Sequence, residues 1–65
     1  MMDLRNTLIA YYEGQIAKHE YNISVYAKQS VGIGEHPDII EAVDSEVAKL
    51  AEAHDKLGVV RGWRD

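Results

Sequence analysis

Ser30-Val31-Gly32-Ile33-Gly34-Glu35-His36-Pro37-Asp38 is the stretch on which the fold turns. Apolar and aromatic residues recur with helical spacing before it and resume that spacing after it. Within it, Gly32 suits the left-handed residue that commonly ends a helix. Pro37 suits the first turn of the next helix, where its missing N–H leaves no bond unmade. Asp38 and Glu41 follow near the positive end of the new helix dipole. Together these are a helix stop and a helix start.

Upstream, residues 2 to 30 contain no Pro and a single Gly, Gly14. Ile9, Tyr12, Ile16, His19, Ile23 and Tyr26 step by three and four, a seam along one helix face. Leu4, Leu8, Tyr11 and Val25 widen the apolar surface beside it. Gly14 costs about 1 kcal/mol relative to Ala unless it admits a close backbone. Downstream, Ile40, Val43, Val47, Leu50, His54 and Leu57 are read as the facing seam, with Ala42, Ala48, Ala51 and Ala53 as small helix formers between them. Gly58 and Gly62 interrupt a short tail that either continues helically or folds back. The expected fold is all-α: one domain over 1–65, with helix 1 over about 2–30, a loop at 31–36, helix 2 over about 37–57 and a tail at 58–65. A short loop between helices makes them antiparallel neighbours. Folding about Ile33 sets Tyr12 near His54 and His19 near Val47. No internal repeat or low-complexity segment is evident.

A 65-residue chain buries only about 60% of the surface its unfolded form exposes and is marginal alone. It has no Cys for a disulfide framework and no Cys/His spacing for a structural zinc. Association with copies of itself is the remaining common supplement, so the hairpin is expected to assemble into a homo-oligomeric helical bundle. No leader and no apolar run near 18 residues is present, so an intracellular, cytoplasmic protein without a membrane span is expected. The net charge is −4. It concentrates between Gly32 and Leu57, where Glu35, Asp38, Glu41, Asp44, Glu46, Glu52 and Asp55 face only Lys49 and Lys56. Such a chain lacks the basic footprint of a general DNA or RNA binder, although a small phosphorylated ligand held by local cations stays possible.

Catalysis finds little support. Ser24, Ser30 and Ser45 stand in no nucleophile motif, and no spacing signals an acid–base pair, so no enzyme and no cofactor is expected. No Glu-x-x-His step marks a carboxylate-bridged metal site. Adjacent ligand types such as His54-Asp55 do not share a helix face, so no metal is expected. The Gly32-Ile33-Gly34 loop could cradle a phosphate, but Glu35 and Asp38 would repel it, and a self-capping turn is the simpler reading. His19, His54, Tyr12 and Tyr26 read first as core or interface residues whose polar tips find partners. They read second as groups lining a cavity, where they could stack on or bond to a flat ligand near Arg5, Lys18 and Lys28. Arg61-Gly62-Trp63-Arg64 sets an aromatic face between two guanidinium groups, which suits a nucleobase with a phosphate and equally an interface anchor.

Residues Val31-Gly32-Ile33-Gly34-Glu35-His36-Pro37-Asp38-Ile39-Ile40-Glu41-Ala42, then Leu50-Ala51-Glu52 and Asp55-Lys56-Leu57, resemble a family of small helical-hairpin proteins encoded by bacteriophages. The likeness covers residues 31 to 57 and leaves the first helix and the Trp63 tail unmatched. Among phage accessory proteins, the anti-CBASS sponges are similar in being compact, helical and oligomeric. They act without chemistry by sequestering the cyclic oligonucleotide signal of a bacterial immune system. The resemblance implies a cyclic di- or trinucleotide as partner, bound between copies of the chain in the host cytoplasm. The pocket would be drawn from Tyr11, Tyr12, Lys18, His19, Tyr26, Arg61, Trp63 and Arg64, with the acidic side of helix 2 turned away. The alternative is a phage helical interaction module, an assembly factor or host-protein inhibitor.

Overall fold

The structure, a computed structural model, describes residues 3–33 and 37–64, with side chains over 3–29 and 38–64. Two helices, α1 (Leu4–Ile33) and α2 (Pro37–Arg61), pack against each other as a hairpin. The molecule measures 51 × 19 × 11 Å. Two helices packed side by side, with no third element among the described residues, make the hairpin a single layer with two open faces.

Asp3 sets the start of α1. Its Oδ1 accepts the Asn6 N–H at 2.8 Å, and its carbonyl accepts the Thr7 N–H at 2.9 Å and the Thr7 hydroxyl at 2.8 Å. This is an N-cap, and it places the first residue of α1 at Leu4, while residue 2, the expected start of the helix, lies outside the described residues. At its other end α1 runs through Gly32 to Ile33, so the loop expected at 31–36 begins later. A glycine permits a left-handed stop without imposing one. Gly34, Glu35 and His36, to which the phosphate-cradle and turn readings also extend, lie outside the described residues.

Helix α2 begins at Pro37, as expected, but passes 57 and continues through Gly58 to Arg61. Leu57 and Val60 are buried against α1, and that docking offsets the helix cost of Gly58. Closure comes at Gly62, whose N–H reaches the carbonyls of Gly58 and Val59, while the Trp63 N–H reaches that of Val60. The Arg5 guanidinium donates to the Arg61 carbonyl at 2.9 Å, satisfying one of the acceptors orphaned at the end of α2.

On α1 the expected seam faces its partner: Ile9, Tyr12, Ile16, Ile23 and Tyr26 are half-buried and His19 is buried. On α2 the seam is corrected at every second position. Ile40 is 72% exposed, Val47 is 47% exposed and His54 is exposed. Ile39, Val43, Glu46, Leu50, Ala53, Leu57 and Val60 face α1 instead, stepping by four and three. Their offset from the expected seam is one residue, so the pairing register follows closely: His19 meets Glu46, next to the expected Val47. The best-buried apolar residues, Ala53, Leu57 and Val60, gather near the open end of the hairpin. No helix among the described residues is long and apolar enough to cross a membrane.

Candidate functional site

Helical geometry gives the two faces different chemistry. At 100° per residue, Tyr11, Gln15 and Lys18 on α1 and Lys49 and Lys56 on α2 share one flank of the seam. They line a cleft of about 330 Å³ with Tyr12, His19, Glu52 and Ala53. Three ammonium groups therefore border this cleft against a single carboxylate. Both lysines of the acidic helix point to it, while Glu41, Asp44 and Asp55 are exposed and do not line it. Tyr11 and Tyr12 form its aromatic wall, with ring centroids 5.5 Å apart at 67°, an edge-on arrangement.

The floor is a polar contact between the helices. His19 Nδ1 lies 2.9 Å from Glu46 Oε1, and the Asn22 amide donates to the same oxygen at 2.7 Å. Lys49 Nζ stands 3.9 Å from the other oxygen, Oε2. Hydrogen bonds from His19 and then Asn22 hold the Glu46 carboxyl below its ordinary value of 4.5. An ionised carboxylate only accepts, so Nδ1 carries the proton of this bond. That fixes the ring on the floor of the cleft and, in neutral imidazole, leaves Nε2 as an acceptor.

The lysines are not equivalent. Lys56 Nζ lies 2.6 Å from Glu52 Oε1, one turn away on the same helix. This contact pushes the Lys56 pKa up and the Glu52 pKa down. Lys18 forms no ion pair or hydrogen bond among the described residues. It is the cation most available to an incoming anion.

The eight residues singled out from the sequence thus divide among three places. Tyr11, Tyr12, Lys18 and His19 converge on the cleft. Tyr26 sits on the opposite face near the loop, in an apolar groove of about 390 Å³ shared with Ile23, Ile39, Ile40 and Val43. Arg61 is at the open end, where its guanidinium donates to Glu13 Oε2 at 3.1 Å. Trp63 and Arg64 are exposed beyond the end of α2. Sequence reasoning missed Gln15, Lys49, Glu52 and Lys56 in the cleft and Glu46 beneath it. Comparison with known protein families, curated proteins and solved structures found no match to the chain.

Proposed function

We propose that this protein binds and sequesters a cyclic oligonucleotide without catalysis, as anti-CBASS sponges do, and acts as an assembly of copies of itself. In this role it would be a phage accessory protein working in the host cytoplasm. The observation that carries the proposal is the convergence of two tyrosines, a buried histidine and three lysines on one cleft of an otherwise acidic chain. Aromatic faces suit a base, ammonium groups suit a phosphate, and a fixed imidazole edge suits a base donor. A volume of about 330 Å³ accommodates one base with its phosphate, so a cyclic dinucleotide would engage the cleft through one half of the molecule.

A melting-temperature panel of cyclic di- and trinucleotides, with linear mononucleotides as controls, tests this. A cyclic nucleotide at 100 times its dissociation constant should add about 2.7 kcal/mol of stability per site. If no cyclic nucleotide raises the melting temperature, the proposal fails. The apolar groove by Tyr26 favours a second reading, a module that binds a host or phage protein. A single host protein recovered through that groove, with no nucleotide effect, would establish it instead.

A further inference from the structure

We infer that the face opposite the cleft is the seat of a second copy of this chain, joined by a two-fold axis into a four-helix bundle with the lysine clefts outside. The inference deepens the self-association proposed above by naming its surface.

Three observations carry it. First, the hairpin exposes 5002 Å², whereas a compact monomer of 7.3 kDa exposes about 4,200 Å². The excess is about 800 Å², the area one partner loses in a standard protein interface. A second copy that buried a standard interface would bring the chain to the exposure expected of a folded protein of its size.

Second, the face has a core and a rim. Ile9, Ile16 and Ile23 on α1 and Val43, Val47 and Leu50 on α2 lie on the flank of the seam away from Lys18 and Lys56. Ile40, 72% exposed, extends this strip toward the loop beside the apolar groove. Charged residues keep to the edges: the Glu13–Arg61 ion pair at the open end, Glu20 along α1 and Asp44 along α2. Third, a two-fold axis brings each central residue against its own copy, and Val47 and Ile16 near the middle of the face place no like charges there. The cleft face, with Lys18, Lys49 and Lys56, would repel its own copy in the same arrangement.

Light scattering on the eluting full-length chain, with no nucleotide added, should give the mass of two chains or an even multiple. A mass of one chain, or of an odd number, overturns the inference. Val47→Glu should shift the protein to the mass of one chain. Because that variant also risks unfolding, single cysteines provide an independent reading in a chain that has none. A short bis-maleimide should cross-link Val47→Cys in high yield and Lys18→Cys poorly. Reversed yields would put the interface on the cleft face, equal yields would favour neither face, and either result sinks the proposal. Nucleotide binding is measured separately by melting temperature, so failure of the dimer and failure of the sponge reading are told apart.

Discussion

His19 and Glu46 meet across the hairpin at 2.9 Å, with Nδ1 of the ring against Oε1 of the carboxylate, and this contact fixes both the register of the helices and the floor of the cleft. Removing one member leaves the other buried without its partner, which costs more than removing both. Glu46→Ala should therefore lower the urea midpoint, and His19→Leu/Glu46→Leu should recover part of the loss. A loss in the double variant equal to the summed losses of His19→Leu and Glu46→Leu measured singly would show that the pair is not coupled.

The same contact fixes which helix face was legible from sequence. On α1 the seam from Ile9 to Tyr26 was readable because its apolar and aromatic members outnumber the alternatives on any other face. On α2 two seams share Val43, Leu50 and Leu57, and they differ in choosing Ile40, Val47 and His54 or Ile39, Glu46 and Ala53. Hydrophobicity alone prefers Val47 to Glu46. The structure prefers Glu46 because a histidine buried on α1 needs a partner, and a single carboxylate in the α2 stripe supplies it. A polar residue in one seam was thus the signal that the other seam should contain one too. Lys49 and Lys56 were invisible as site residues for a related reason. Their place in the cleft follows from that one-residue rotation, and once Glu46 faces inward both ammonium groups fall on the Lys18 side.

Acid should weaken the hairpin through Glu46. Hydrogen bonds from His19 and Asn22 hold its folded-state pKa below the ordinary 4.5. The folded protein thus keeps its carboxylate ionised where the unfolded chain has begun to take up a proton. The resulting stability is full above pH 4.5 and is lost as pH falls through the folded value. Glu52 acts in the same direction through Lys56. The melting temperature should be flat above about pH 5 as far as these groups are concerned and fall below it. In Glu46→Gln that fall should be shallower, and an unchanged acid limb would argue against the assignment.

Gly14 offers a gain in stability. It is exposed in the interior of α1, and a Cβ there would meet nothing within 4 Å. The close backbone approach that would justify a glycine is absent in the hairpin, and Gly14 lies away from the proposed dimer face. Gly14→Ala should stabilise by about 1 kcal/mol through helix propensity, raising the melting temperature by roughly 4–8 °C in a domain of this size. A loss of stability would instead reveal a second chain packed against that position.

The cleft lysines should differ in their effect on ligand affinity, in an order set by their present partners. The charge of Lys56 is already engaged by Glu52 at 2.6 Å, and a phosphate must compete for it. Lys18 has no such competitor among the described residues, so a contact from it to a phosphate gives up no existing bond. Lys18→Ala should weaken cyclic nucleotide binding by about tenfold, the loss of one charge-assisted hydrogen bond partly screened by water. Lys56→Ala should weaken it less, and Glu52→Gln, which frees Lys56 and removes the one carboxylate lining the cleft, should strengthen it. Isothermal titration of the three variants at fixed ionic strength would test this order. If all three bind as the parent does, the ligand lies elsewhere, and the exposed Trp63 and Arg64 beyond α2 become the next place to examine.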